Sequence, residues 1–466
     1  MSLLATPKGW PTILLEVAPA VARFGGLRRA IRELGPAGTI AEIAAAGLRG
    51  RGGSGYASAD KWRAAAAAGQ ELGPRVSRYV VVNAYGADPS SLTDRTLLAE
   101  NPSAVVEGAA IAAWAIGAEE AIIAVRAGES AAIAALEAAA ADARAAGLLG
   151  EAIAGTTRRL EIDIRTVQGA YMLGEETVLI KALEGKRGQP EQRPPHPAED
   201  GLWGAPTVVQ NAQTAAAAAW ILRHSAAEFR ATGTADEPGT ILVDVRGPAG
   251  GGIAEVPFGT PLADIVALAG GVPTTTKGGT AAKKGPAADA GAGRPIKAVL
   301  VGGPSGGILP ADHLSTPYTY EALRAAGAHI GSGSVIVADD RACVVDLARV
   351  LTRYCADEAC GKTIPCRIGT RRLAEMGERL AAGTSRAGDL DLIITLADDI
   401  TGSALCDHER LATLPLRSGL RYFGPEVEAH LEQGICPAGV CRPIALGRAA
   451  TTAVAPTSSP ATTSPA

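Results

Sequence analysis

Three stretches of the chain carry residue types that do chemistry. The first, Gly47-Leu-Arg-Gly-Arg-Gly-Gly-Ser-Gly-Tyr56, packs five glycines into ten residues. Glycine permits positive φ and lets a ligand approach bare backbone, and a run of exposed amides can cradle a phosphate. Arg51 and Lys61 would add positive charge, and Trp62 could be core or a stacking ring. The second stretch, Tyr171-Met-Leu-Gly-Glu-Glu-Thr177, sets two carboxylates, Glu175 and Glu176, behind a glycine. Such a pair needs partners or solvent, and a helix N-terminus would favour both. The third holds cysteines. All seven, Cys343, Cys355, Cys360, Cys366, Cys406, Cys436 and Cys441, fall in the last third of the chain.

Each stretch also has a plainer reading. Gly50, Gly52 and Gly55 satisfy G-x-G-x-x-G, but the preceding Ile40–Ala46 reads as a helix. A dinucleotide fingerprint needs a strand there. The loop could be a tight surface turn, and the glutamates could simply start a helix. Seven cysteines in 466 residues are too few for a disulfide framework, and the number is odd. In a reducing compartment, clustered cysteines more often bind metal than pair.

The elements that position these residues follow from periodicity. Through residue 235, helical patterns such as Ile40–Ala46 and Ser130–Ala146 alternate with the short runs Arg78–Val82, Ala121–Val125 and Leu160–Ile164. That alternation predicts an α/β domain with a largely parallel sheet covered on both faces. From Gly239 the order is strand (Thr240–Arg246), turn, strand (Ile253–Val256), helix (Pro261–Ala269) and strand (Ile296–Val301). This is a small α+β unit, interrupted at 271–293 by a stretch read as a mobile insertion. After about Thr319 the pattern turns helical apart from a strand-like run at Ser334–Ala338. Apolar three- and four-residue spacing in Val344–Tyr354, Thr370–Ala382, Leu390–Ile400 and Pro425–Glu432 predicts a bundle around the cysteines. The domain reading is 1–236, 237–318, 319–445 and a disordered Thr/Ser/Pro/Ala tail at 446–466.

Composition agrees with a chain of about three domains at roughly 100–200 residues each. Hydrophobic residues are 47% and charged residues 20%, which excludes a mostly disordered protein. A net charge of −4 argues against nucleic acid as a partner. The apolar stretch Gly204–Leu222 contains Pro206, Gln210, Asn211 and Gln213, so it is a poor membrane span. No leader pattern opens the chain. The expectation is a cytoplasmic protein, without membrane insertion of its own.

Taken in order, the motifs resemble one family. The chain is similar to the flavin-bearing, NADH-oxidising subunit of respiratory NADH dehydrogenase (complex I) and to related diaphorase subunits of hydrogenases and formate dehydrogenases. The resemblance runs over roughly residues 35–440. It is carried by Gly50 to Tyr56, Lys61-Trp62, Asn83-Ala84, Asp94-Arg95, Tyr171 to Pro190, Pro206 to Asn211, Gly302 to Gly307, and Cys360 to Arg367. It implies an FMN-binding α/β domain, a ubiquitin-like β-grasp (SLBB-like) domain, and a helical domain with one [4Fe–4S] cluster. It assigns Gly50, Arg51, Gly52, Gly53 and Lys61 to the FMN phosphate. Asn83, Tyr171, Gly174, Glu175, Glu176, Asn211 and Thr214 match positions around the flavin or nicotinamide, with the two glutamates shaping the reacting site. Electrons would pass from NAD(P)H through FMN to the cluster and on to a ferredoxin-like or other redox partner. The assembly could be peripheral to a membrane complex.

The chain departs from the family at informative places. Asn83-Ala-Tyr-Gly-Ala-Asp-Pro-Ser90 stands where the family reads Asn-Ala-Asp-Glu-Gly-Glu-Pro-Gly, so Tyr85 and Gly86 replace acids. Ala64 and His196 stand where phenylalanines grip the adenine of NADH, with Tyr56 keeping one ring, and Gln210 replaces an asparagine. Flavin binding is expected to persist and NADH binding to weaken. A ferredoxin-linked flavoprotein and a scaffold without cofactors are the alternatives.

In the cysteine motif Cys360-Gly-Lys-Thr-Ile-Pro-Cys366, Thr363 occupies the middle ligand position, leaving Cys360, Cys366 and Cys406 for metal. Cys355 or His408 could supply a fourth ligand, the cluster could be a three-iron or labile one, or none could form. Cys343, Cys436 and Cys441 are read as small buried hydrophobes, although Cys436 and Cys441 could bind metal. Gly302–Gly307 could be a ligand contact or a turn at a domain junction.

Overall fold

The computed structural model describes residues 3–7, 9–73, 76–270 and 294–442. The insertion expected at 271–293 and the tail at 446–466 lie outside them.

Four β-branched runs build the first sheet: β1 (Tyr79–Ala84), β2 (Glu120–Arg126), β3 (Glu161–Val167) and β4 (Thr207–Asn211). All pairings are parallel and the order is β3-β2-β1-β4. Alternate side chains leave opposite faces. Val80, Val82, Ala121, Ile123 and Val208 enter a core shared with helices Pro102–Ile116 and Ala212–Arg223. Val81, Ile122, Ala124 and Val209 face the other way, onto Met172, Leu173, Val178, Leu179 and Cys406.

The alanine-rich composition has a physical use in the first of these layers. A Cβ on Gly108 would sit 1.8 Å from the Ala215 carbonyl oxygen, so the two helices touch backbone to backbone. The apolar stretch 204–222 is thus split between β4 and a twelve-residue buried helix. Among the described residues, no helix is long and apolar enough to cross a membrane.

The second sheet contains β5 (Thr240–Gly247), β6 (Gly250–Pro257), β7 (Ile296–Val301), β8 (Gly307–Pro310) and β9 (Ser334–Asp339), in the order β6-β5-β9-β7-β8. β5 and β9 are parallel and the other pairs antiparallel. One face packs on helix Leu262–Leu268. The other brings Ala298, Leu300 and Ile308 against Val344, Ala348, Leu373 and Leu416 of the helical segment. The boundary read at 318/319 leaves the run Ser334–Ala338 in that helical segment. Its pairing between β5 and β7 makes it the centre of the small sheet instead.

Helices Val344–Glu358, Thr370–Ala381, Asp389–Ser403 and Leu414–Tyr422 follow. They share a core of Leu351, Leu373, Met376, Ile393, Ile400 and Leu416, which is the three- and four-residue spacing put to use.

Candidate functional site

After β1 the chain adds β2 and β3 on one side, and β4 returns to the other. The C-terminal ends of β1 and β4 therefore flank a topological switch point, where open α/β sheets bind ligands. Asn83 and Asn211 sit there in register, across adjacent strands. Asn83 Nδ2 donates to the Leu173 carbonyl at 3.0 Å, and its Oδ1 accepts from the Tyr85 amide at 3.2 Å. Asn211 caps helix Ala212–Arg223, with Oδ1 accepting from the Gln213 amide. Its Nδ2 donates to both carboxylate oxygens of Asp94, at 3.0 and 3.2 Å, and Gln213 Nε2 donates to one of them at 3.3 Å. Burial pushes the Asp94 carboxyl up to about 6, against those hydrogen bonds.

The glycine loop crosses this crevice between helices Gly35–Ala46 and Ser58–Glu71. A helix precedes it, so the dinucleotide fingerprint is absent, as the periodicity indicated. Gly52 lies over Asn211, its added Cβ falling 3.4 Å from the asparagine Cβ. Gly53 (φ +103°) and Gly55 (φ +67°) need the left-handed region, and a Cβ on Gly55 would meet the Tyr320 ring at 2.9 Å. Gly50 is tied by its amide to Tyr56 O at 2.8 Å and by its carbonyl to Tyr320 Oη at 2.7 Å. Among the described residues the amides of Gly52, Gly53 and Ser54 donate to no acceptor, which leaves this turn open to an anion.

Arg51 departs from the expected role. Its guanidinium is buried (1% exposed), donates to the Pro238 and Thr240 carbonyls at 2.8 and 3.3 Å and to Arg49 O, and lies over the Phe229 and Phe258 rings. Burial lowers its pKa to about 10. The side chain locks the loop onto β5 instead of facing a phosphate. Only its amide points toward the crevice wall, donating to buried Thr214 Oγ1 at 2.9 Å. Thr214 is thus a support of the loop. Trp62 is core, fully buried and bonded to Gln210 Oε1 at 3.2 Å.

Lys61, in the first turn after the loop, supplies the cation. Its Nζ sits 2.7 Å from Glu176 Oε2 and 3.0 Å from Val209 O in the middle of β4. The two glutamates divide their work. Glu175 caps helix Glu176–Leu183, one oxygen accepting from the Thr177 and Val178 amides at 2.9 Å. Glu176 faces Lys61. Arg193, not singled out in the sequence, pairs with both carboxylates. Burial alone would push the Glu176 carboxyl up, but Lys61 and Arg193 together hold it below its ordinary value. Gly174 is exposed beside Ala87, so it keeps the crevice mouth open. Tyr56, Ala64 and His196 are exposed, and Lys61 lies 6.0 Å from the Tyr56 ring centroid.

Tyr85 and Tyr171 are both held by contacts within the protein. Tyr85 is buried, with its hydroxyl donating to Gly169 O at 2.6 Å and Arg126 stacked on its ring. It borders a cavity of about 380 Å³ at the ends of β1 and β2, together with Arg95, Arg126 and Glu129. Tyr171 joins three parts of the chain. Its amide donates to Glu358, its hydroxyl bonds Ser305 Oγ at 3.0 Å, and its ring meets Tyr354 and His408 edge-on. The turn Gly303–Ser305 is a junction, since a Cβ on Gly303 would strike the Asp88 carboxylate at 2.1 Å.

Cys360, Cys366 and Cys406 come together on the far side of β1 and β4. Cys406 and Cys360 join the cluster that contains Val81, Val209 and Leu173. The Cys366 thiol hydrogen-bonds Cys360, which lowers the Cys360 thiol to about 6 and raises that of Cys366. Burial pushes Cys406 up to about 12, and the Glu175 carboxylate beside it adds to that.

Thr363 Oγ1 donates to Glu409 Oε1 at 2.6 Å and accepts from the Cys366 amide at 3.1 Å. Glu409, buried at 1% exposure, acts electrostatically on all three cysteines. It was invisible in the sequence because its only signal is position, three residues after Cys406. The two sequence candidates point elsewhere. Cys355 Sγ faces Pro304 O at 3.4 Å, and His408 Nε2 meets Cys355 O at 2.9 Å.

A phosphate cradle at a sheet switch point, backed by thiols on the opposite face of the same strands, defines an electron-transfer flavoprotein with an iron–sulfur site. Comparison with known proteins agrees. The Nuo51 FMN-binding domain matches residues 43–220, and the NADH-ubiquinone oxidoreductase-F iron-sulfur binding region matches 346–430. The chain is 37% identical over 425 residues to the NADP-reducing hydrogenase subunit HndC of Solidesulfovibrio fructosivorans, covering 91% of this chain and 81% of that one. It is 34% identical to the F 2 subunit of NADH-quinone oxidoreductase from Rhizobium meliloti (strain 1021), covering 91% and 96%. A crystal structure of an NAD+-reducing [NiFe]-hydrogenase in the H2-reduced state superposes with a TM-score of 0.77 at 33% identity, over 91% of this chain and 67% of that chain. The chain therefore belongs to the family of FMN- and iron–sulfur-binding oxidoreductase subunits that includes the F subunit of NADH-quinone oxidoreductase.

Proposed function

We propose that this chain oxidises NAD(P)H at FMN and relays the electrons through an iron–sulfur cluster to a ferredoxin-like or other redox partner protein. One observation carries the reading: buried Cys406 packs in one cluster with Leu173 and Val178, which flank the Glu175 cap of the crevice helix, so the flavin and cluster sites adjoin across one wall. When bound, FMN takes a hydride as an electron pair and releases electrons singly to a one-electron cluster.

The chain's own residues supply binding and position. Gly52, Gly53 and Ser54 offer amides to the phosphate, and Lys61 adds the charge. The Lys61–Glu176 pair would open for that phosphate, leaving Glu176 with Arg193 and free to orient the nicotinamide. Asn83 and Asn211 hold the crevice floor. Cys360, Cys366 and Cys406 would hold the cluster, with Glu409 at the corner that Thr363 vacates. That donor set fits an iron–sulfur group, since its thiols converge in a largely buried pocket.

The small sheet supports a β-grasp assignment: a hairpin, a helix, and a last strand inserted parallel to the first. Its span would then be 237 to about 339, with the helical iron–sulfur domain following. A cytoplasmic location, peripheral to a larger complex, fits the relatives' assemblies.

A second reading keeps both cofactors but takes electrons from reduced ferredoxin. The exposed Ala64 and His196 favour it, because they leave Tyr56 as the lone ring for adenine. Measuring FMN, iron and sulfide in the purified chain, then offering NADH, NADPH and reduced ferredoxin anaerobically in parallel, tests these readings. Reduction by a pyridine nucleotide supports the first. Reduction by ferredoxin alone supports the second. A colourless chain that cannot be reconstituted supports a scaffold and contradicts both.

A further inference from the structure

The cysteines outside the cluster pocket are not isolated small hydrophobes. Cys343, Cys436 and Cys441 converge with His430, and their four ligand atoms all lie within 4.8 Å of one another. Cys343 Sγ is 3.4 Å from Cys441 Sγ and 3.5 Å from His430 Nε2. A tetrahedral zinc ion with Zn–S of about 2.3 Å and Zn–N of about 2.0–2.1 Å separates its donors by roughly 3.8 Å for two sulfurs and 3.6 Å for sulfur and nitrogen. The observed spacings match one such ion. A cube of iron and sulfide needs its thiolates spread much further apart.

The surroundings prepare these groups to ligate. His430 is fully buried and its Nδ1 lies 2.8 Å from the Glu426 carbonyl. A carbonyl only accepts, so Nδ1 carries the proton and Nε2 keeps its lone pair toward Cys343, the usual arrangement of a metal-bound histidine. Cys343 caps helix Val344–Glu358 and accepts from the Asp346 amide at 3.3 Å, which fixes its sulfur beside His430 and Cys441. Cys436 accepts from the Cys441 amide at 3.4 Å.

We propose that Cys343, His430, Cys436 and Cys441 form a structural zinc site. All four positions are filled by protein, so the ion is closed to substrate. Binding displaces the three thiol protons to solvent and involves no change in oxidation state. The ion clips the segment around Cys436–Cys441 to the start of the helix whose other end leads into Cys360. The site stands apart from the flavin crevice and does not depend on the proposed reaction.

Metal analysis of the full chain, produced with both zinc and iron supplied, tests this. One zinc per chain beyond the iron is expected. Cys441→Ser and His430→Ala should each lose the zinc while flavin and iron contents persist. Anaerobic exchange with Co2+ alone should give intense tetrahedral and thiolate charge-transfer bands, absent in Cys441→Ser. Where a variant fails to fold, titrating the native chain with a mercurial should release one zinc as three thiols react. Zinc far below one per chain with no tetrahedral cobalt spectrum would overturn the proposal. So would a single iron at this site, or a disulfide between two of these cysteines.

Discussion

Asp94→Asn should make the chain more stable at neutral pH while loosening the crevice floor. Asp94 is enclosed with no cation among its hydrogen-bond partners, and burial moves its carboxyl from an ordinary 3.8 up to about 6. At about 1.4 kcal/mol per unit, holding it ionised costs about 3 kcal/mol at neutral pH. Asparagine removes that cost but turns an amide donor toward Asn211, losing one hydrogen bond of about 1 kcal/mol. The net expectation is a gain of about 1–2 kcal/mol near pH 7.5.

The pH dependence has a definite sign. The folded pKa lies above the unfolded one, so the cost is complete above about 6 and vanishes below about 4. Wild type should therefore gain on the variant as pH falls through that window. Urea denaturation of flavin-stripped protein, which removes ligand linkage, reads the difference directly. A variant less stable at neutral pH, or a difference that stays constant between pH 7.5 and 4.5, would refute the assignment of an uncompensated buried carboxylate. In the same variant FMN should bind more weakly, because Asn211 loses its anchor.

Other perturbations separate the remaining roles. Lys61→Met removes a charge-assisted contact of about 1.5–3 kcal/mol and should weaken FMN roughly 10- to 150-fold by fluorescence titration, with Lys61→Arg recovering part of it; unchanged affinity would remove Lys61 from the phosphate site. Thr363→Cys places a thiol at the corner that Glu409 now faces. It should lower the reduction potential followed by EPR during a redox titration, and an unmoved potential would mean that this corner is not a ligand position. Adding rings with Ala64→Phe and His196→Phe should tighten NADH by up to about tenfold each, read from the concentration dependence of flavin reduction. No gain would mean that these positions do not face the adenine.

The elements with strong periodicity were legible in the sequence. β1, β2 and β7 lie where their β-branched runs stand, and helix Ser130–Ala145 ends within a residue of its pattern. β4 and the buried helix after it were not separated, because an all-apolar alanine run has no polar face to mark its period. β9 was seen as a strand but given to the wrong unit, since its partners lie far away in sequence. Motif order picked out Lys61, Asn83, Glu176 and Asn211, which the fold gathers around β1 and β4. Arg51 misled because residue type says nothing of direction, and its guanidinium turned inward to three carbonyls. Arg193, Glu409 and His430 were missed for a related reason. Each depends on a partner distant in sequence, such as Glu175 for Arg193, Thr363 for Glu409 and Cys343 for His430.

Anaerobic titration of the FMN- and iron-replete chain with NADH and with NADPH, followed by absorbance and EPR, tests the central claim most directly. The account predicts that one of them bleaches the flavin and that an iron–sulfur signal then grows in the same protein. Weak adenine stacking should push the nucleotide concentration needed upward without preventing reduction. A chain whose flavin is reduced by dithionite but by neither nucleotide at any concentration would contradict it.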